Sequence, residues 1–249
     1  MKTRILLTGM ILMLSYSLRA QEMNGSGIPL IGSQAPSFIA ETTQGKLSFP
    51  GDFGNNWKIL FSHPQDFTPV CTSELIELTR MKKKFDELGI RVAIISTDTR
   101  ERHLDWIKSI KEILVRGKQP SEIFFPLIDD SQMKVAKMYG MIHYPVSTTK
   151  DVRGVYIIGP SNTIESVFFY PSTVGRNMEE IVRTVEALQE VKSCNLYTPV
   201  NWKPGDDMLV PWFPYDSGKE ADVSALEEDE YYFIGSMLWY KKMKKPEAK

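Results

Sequence analysis

The stretch His63-Pro64-Gln65-Asp66-Phe67-Thr68-Pro69-Val70-Cys71-Thr72-Ser73-Glu74-Leu75 joins an apolar, β-rich run, Trp57 to Ser62, to an amphipathic one, Ser73 to Glu87. A hydroxyl residue followed by proline is a helix-start signature, so Thr68 reads as the N-cap, Pro69 as the first helical residue, and Cys71 falls in the first turn. In an open α/β sheet, sites form at such strand-to-helix junctions. A free cysteine has a pKa of about 8.5 and is mostly protonated at neutrality. Unpaired N–H groups and the positive end of the helix dipole favour the anion, so the position that starts the helix also activates the sulfur. Thr68 can aim its hydroxyl at the sulfur or at a bound oxygen, and Pro64 can wall off water.

Outward from this junction the chain alternates short β-rich runs with amphipathic ones. Arg91 to Ser96, Phe124 to Ile128, Val155 to Ile158 and Ile164 to Tyr170 read as strands; Arg100 to Leu114, Met133 to Tyr139 and Met178 to Val191 read as helices. Gly159-Pro160-Ser161-Asn162 separates the last two strands as a hairpin turn. This order predicts a three-layer α/β sandwich, a mainly parallel sheet with an antiparallel edge and helices on both faces.

The ends differ in character. Lys2 and Arg4 precede an apolar run from Ile5 to Leu14, the layout of a signal peptide over residues 1–20, too short to serve as a stable membrane anchor. Residues 21–32 read as a flexible, glycine-rich leader and 33–197 as the compact domain. After Tyr197 periodicity is lost. Residues 198–249 read as an extension whose aromatics, Tyr231, Tyr232, Phe233, Trp239 and Tyr240, cannot build a core alone and call for a docking surface, in a dimer or on the parent domain.

The chain has 249 residues, 42% of them hydrophobic, enough for one substantial core. Its 30 basic and 31 acidic side chains leave a net charge of -1, which gives no electrostatic case for nucleic acid as partner. Only Cys71 and Cys194 are available for disulfide chemistry, too few for a disulfide-stapled scaffold even after export.

The spacing Pro64-x-x-x-Thr68-x-x-Cys71, and the string Pro69-Val70-Cys71-Thr72-Ser73-Glu74, resemble the active-site signature of the peroxiredoxins. The resemblance runs from about Pro36 to Val210. Tyr170 to Asn177 and Thr198 to Asp206 are similar to the branch with one catalytic cysteine, which also carries a long C-terminal extension. It implies a thioredoxin-like fold and reduction of hydrogen peroxide or organic hydroperoxides by a Cys71 thiolate, which becomes a sulfenic acid without metal or flavin. It implies that Arg153, in Asp151-Val152-Arg153-Gly154-Val155, supplies a guanidinium to the site, and that Glu74 and Arg176 orient it. His63 either is satisfied by backbone or touches substrate. An external thiol, of the thioredoxin or glutathione type, is expected as reductant, with Cys194 as alternative resolving thiol; a homodimer or larger ring is expected.

Three rival classes are weaker. A thiol-disulfide oxidoreductase normally needs a Cys-x-x-Cys pair, absent here. A serine hydrolase needs a nucleophile elbow, and no Gly-x-Ser-x-Gly string exists. A chaperone-like oligomer with a relic site would have no reason to keep Cys71, Thr68 and Arg153 together.

Overall fold

A computed structural model describes residues 27–114, 117, 119–211, 230–234 and 238–243. The expected signal peptide and residues 21–26 of the expected leader lie outside the described residues. The chain divides into two compact units, one ending at Arg176 and one beginning at Asn177.

The first unit is a seven-stranded sheet in the order β2-β1-β5-β4-β3-β6-β7. Its strands are β1 (Phe38–Thr42), β2 (Gly45–Phe49), β3 (Trp57–Ser62), β4 (Ile90–Ser96), β5 (Leu127–Asp129), β6 (Arg153–Ile158) and β7 (Ile164–Tyr170). Helices α1 (Pro69–Arg80) and α2 (Lys82–Glu87) connect β3 to β4, α3 (Arg100–Lys111) connects β4 to β5, and α4 (Lys134–Met138) follows. Only β3, β4 and β5 run parallel; β1, β2, β6 and β7 are antiparallel to their neighbours. The sheet is therefore mixed, as expected, but its parallel centre is flanked by antiparallel strands on both sides, which corrects the single antiparallel edge to two. The unread hairpin β1–β2 supplies the second antiparallel side.

Every residue of β3 is buried, as a central strand covered on both faces requires. Leu60, Ala93, Ile95, Ile128, Tyr156 and Ile158 from the inner strands meet Phe38, Phe49, Tyr139 and Met141 in one cluster. Each such side chain contributes about 1.5–3 kcal/mol of transfer free energy. From Gly27 onward the expected leader makes defined contacts with the first unit. Gly32 N–H donates to the Ile164 carbonyl at 2.8 Å, and a Cβ on Gly140, at φ 60°, would strike Ile28.

The second unit contains α5 (Met178–Cys194), β8 (Met208–Leu209), β9 (Tyr231–Ile234) and β10 (Leu238–Lys241). Asn177 caps α5 by accepting from Glu180 N–H, and Asn195, left-handed at φ 55°, ends it. The strands pair antiparallel in the order β8-β10-β9. Ala187, Leu196, Trp202, Met208 and Val210 form a buried cluster with Val191, Cys194, Tyr231, Trp239 and Met243 around it. One expectation is met and another corrected. Tyr231 and Trp239 pack with Ala187, Val191 and Cys194 of α5, a helix read as part of the compact domain, so these aromatics dock on it rather than build a core alone; but that helix groups with the extension, and the division falls after Arg176 rather than after residue 197.

Candidate active site

At the C-terminal end of β3 the chain turns through His63 to Thr68. Phe67 adopts φ 59°, rare for a side chain of its size, and Thr68 is extended at φ -102° and ψ 148° before Pro69 opens α1. Cys71 sits in the first turn, 2% exposed, and is a free thiol. Thr68 occupies the N-cap position but makes no cap bond. Its hydroxyl donates to the Gln65 carbonyl at 2.9 Å. Of the two partners read for this hydroxyl, the sulfur or a bound oxygen, neither receives its hydrogen: the tight turn offers a backbone acceptor three residues back, so only the hydroxyl lone pairs remain. Pro64, half-buried, flanks the turn.

Arg153, at the start of β6, reaches the sulfur. Its Nη1 lies 3.3 Å from Cys71 Sγ and 2.8 Å from Glu74 Oε2. Its Nε and Nη2 both donate to the Ser172 carbonyl, at 3.1 and 2.7 Å. A guanidinium has five N–H donors; four are thus committed, and among the described residues the second hydrogen on Nη2 meets no acceptor. The β3–β6 seam fixes where β6 begins. Ser62 Oγ donates to the Val152 carbonyl and accepts from Gly154 N–H, at 2.7 and 2.8 Å. A Cβ at Gly154 would come within 2.9 Å of that hydroxyl, which explains the glycine after Arg153.

Glu74 lies one turn beyond Cys71 on α1 and joins both arginines. Arg176 donates to it from the backbone N–H at 2.8 Å, from Nε at 3.0 Å and from Nη2 at 2.7 Å. Arg176 Nη1 also bonds the Ser62 and Gly154 carbonyls at 2.9 Å, and its guanidinium stacks over Phe61. Burial pushes the Glu74 carboxyl up, but the charge and hydrogen bonds of Arg176, then the charge of Arg153, outweigh it and hold it below the usual range. Glu74 therefore stays a carboxylate, and one buried anion holds two guanidinium groups together.

His63 is satisfied neither by backbone through its ring nor by an open cleft: its Nε2 pairs with Asp66 Oδ1 at 2.8 Å, and the ring is buried. Asp66 Oδ2 meets His103 Nδ1 at 2.7 Å. Sequence reasoning passed over His103, Asp66 in this role, and the Ser172 carbonyl. Asp151, two residues before Arg153, is 2% exposed, and neither carboxyl oxygen has a hydrogen-bond partner among the described residues; burial pushes it well up. Cys194 is the last residue of α5, not beyond it, and its thiol donates to the Glu190 carbonyl at 3.1 Å.

A cysteine in the first turn of a helix, on a thioredoxin-like α/β sheet, with a buried arginine donating to its sulfur, defines a cysteine-based redox protein. The comparisons narrow the class. The AhpC/TSA family profile matches residues 31–167, and that of the C-terminal domain of 1-Cys peroxiredoxin matches 187–222. A peroxiredoxin of Methanosarcina mazei is 46% identical over 185 residues, covering 74% of this chain and 84% of its own. The mitochondrial peroxiredoxin of Saccharomyces cerevisiae is 40% identical over 197 residues, covering 77% of this chain and 73% of its own. A solved structure of a yeast mitochondrial 1-Cys peroxiredoxin, described with its thiol resolution by glutathione and thioredoxin systems, superposes with TM-score 0.73 at 35% identity, covering 86% of this chain and 100% of its own. A cysteine-to-serine mutant of peroxiredoxin 6 from Arenicola marina gives TM-score 0.75 at 30% identity, covering 88% and 99%. The chain belongs to the peroxiredoxins, the thiol-dependent peroxidases of the AhpC/TSA family.

Proposed function

We propose that Cys71 is the peroxide-reducing residue and that it works by a one-cysteine mechanism with an external thiol. The observation that carries this is the Arg153 Nη1 contact to Cys71 Sγ at 3.3 Å. A hydrogen bond to sulfur strengthens when sulfur carries the charge. The peroxide O–H donates to Thr68 Oγ1, whose own hydrogen is occupied by the Gln65 carbonyl. The thiolate attacks that oxygen, the O–O bond breaks, an S–O bond forms, and the departing alkoxide or hydroxide takes a proton from solvent. Charge passes from sulfur to the leaving oxygen, where the uncommitted Nη2 hydrogen of Arg153 meets it. A donor already in place pays little reorganisation as the charge moves. Glu74 and Arg176 hold Arg153, and Pro64 screens the sulfur from water.

The sulfenic acid then condenses with an external thiol, releasing water, and a second thiol restores Cys71. The yeast relative resolves through glutathione and thioredoxin systems, and we assign this chain a reductant of the same class. Intact-mass analysis after one equivalent of peroxide should find one added oxygen on Cys71 and Cys194 still reduced. A quantitative Cys71–Cys194 disulfide sinks the one-cysteine assignment.

We infer further that the chain is exported, on the strength of Lys2, Arg4 and the run Ile5 to Leu14, and that it forms a homodimer through its aromatic extension. Secreted material should begin near Gln21 and sediment at twice the monomer mass. An intact N-terminus in the cell, or a monomer, refutes the respective statement.

A further inference from the structure

His63, Asp66 and His103 form a buried chain of titratable groups that the chemistry above leaves unused. The Asp66 carboxylate spans the two rings, Oδ1 to His63 Nε2 at 2.8 Å and Oδ2 to His103 Nδ1 at 2.7 Å. The other nitrogen of His103, Nε2, lies 3.1 Å from the Ile128 carbonyl oxygen. A carbonyl only accepts, so Nε2 carries a hydrogen; an ionised carboxylate only accepts, so Nδ1 carries one too. Asp66 is the anion of the set. Burial pushes its carboxyl up, but the hydrogen bonds from His103 and His63 outweigh this and bring it down to about 2. His63 is the neutral ring, because burial lowers it more than Asp66 raises it.

His103 is 0% exposed. Charged groups surround the chain from every side. Asp98, before α3, accepts the Asp66 N–H at 2.7 Å and pairs with Arg102 and Lys150 at 3.3 and 3.5 Å. Asp129 on β5 interacts electrostatically with His103, and Arg176 with His63. Two carboxylates, Asp66 and Asp129, thus face His103, and the neighbouring His63 ring is neutral.

This ion pair lies at the loop that carries Thr68. The loop is tied down by His63 N–H on the Ile95 carbonyl at 3.0 Å, by Asp66 N–H on Asp98, and by the Asp66 carboxylate on His103. Phe67 holds its positive φ between the last of these ties and Thr68. We propose that His103 is a positioning residue for peroxide reduction: a buried imidazolium that grips Asp66 and so fixes the loop presenting Thr68 to the peroxide. The proposal rests on the peroxidase reading and deepens it with a residue that does not touch substrate.

Two measurements test it. In reduced wild-type protein with ¹⁵N-labelled histidine, ring correlations at neutral pH should show both nitrogens of His103 protonated; a neutral single tautomer overturns the proposal, whatever the activity. In His103→Gln, oxidation of Cys71 by hydrogen peroxide should slow by roughly tenfold to a hundredfold, while alkylation of Cys71 by iodoacetamide, which needs no Thr68, changes by less than about threefold. Asp66→Asn should give the same split, and serves if His103→Gln does not fold. Parallel loss of both rates in folded variants, or no loss, overturns the positioning role. An inactive wild type overturns instead the peroxidase reading on which it stands.

Discussion

Cys71→Ser is expected to leave the protein folded and to abolish peroxide reduction, by at least about 10⁴-fold in kcat/KM. The substitution is nearly isosteric at a site 2% exposed, and a serine oxygen still accepts from Arg153 Nη1 in place of sulfur. Stability should therefore change little. Chemistry changes completely, because a serine hydroxyl is a far weaker nucleophile toward a peroxide oxygen than a cysteine sulfur. None of the neighbouring groups can take over: Glu74 is consumed by two arginines, and His63 by Asp66. Thermal melting alongside stopped-flow peroxide consumption separates folding from function. The companion Cys194→Ser should keep the full rate of the first oxidation step. If Cys71→Ser consumes peroxide as fast as the parent, the sulfur is not the nucleophile and the proposed mechanism goes with it.

What the sequence disclosed and what it hid follow from where the physical signal lies. The strand β3 was readable to the residue because a doubly covered central strand is rich in large apolar residues, here Trp57, Ile59, Leu60 and Phe61. The hairpin β1–β2 was not, because its strands are only half buried, with Ile39 and Lys46 facing solvent. One long helix was expected, opening at Pro69 and continuing through the amphipathic stretch to Glu87; the structure opens it there but breaks it at Met81, where the backbone leaves the helical region at ψ 2°. Thr68-Pro69 announces the start, but no composition signal marks the break. In the extension, the strands are two to four residues long, below the length at which alternation can be detected.

The site divides in the same way. Cys71, Thr68, Glu74, Arg153 and Arg176 stand in the strings that resemble the family, so their meeting could be expected across more than a hundred residues of chain, as the Glu74–Arg176 contact shows. The Ser172 carbonyl that steers Arg153 is backbone, and a backbone acceptor leaves no trace in residue identity. His103 is hidden for another reason. It lies on the inner face of α3 with Trp106 and Ile110, three and seven residues on, where a pattern of burial predicts an apolar side chain. A buried polar residue at such a position must find partners, and here those partners come from the loop that holds Thr68. The structure thus converts an apparent fault in the helix pattern into a link with the site.

Arg153→Lys should be the second most damaging change, lowering the rate of Cys71 oxidation by about 10²–10³-fold, the usual cost of losing a preorganised donor to a developing anion. Lysine keeps the charge, so a purely electrostatic role would survive the swap. The geometry says otherwise. Nε and Nη2 are seated together on the Ser172 carbonyl, Nη1 divides between Cys71 and Glu74, and only the planar fork makes all four bonds while keeping one Nη2 hydrogen uncommitted. A single ammonium nitrogen at the Nη1 position can serve Cys71 and Glu74 but cannot also hold the Ser172 carbonyl that Nε and Nη2 share. Glu74 does not lose its support, since Arg176 keeps three bonds to it, so the damage should remain local and the melting temperature should fall far less than the rate. Stopped-flow oxidation across hydrogen peroxide and a bulky alkyl hydroperoxide gives the decisive comparison: the same factor for both marks loss of an interaction with the shared O–O unit, whereas a drop confined to the bulky substrate would mean that Arg153 acts on pocket shape and that its assigned contact with the leaving oxygen is wrong.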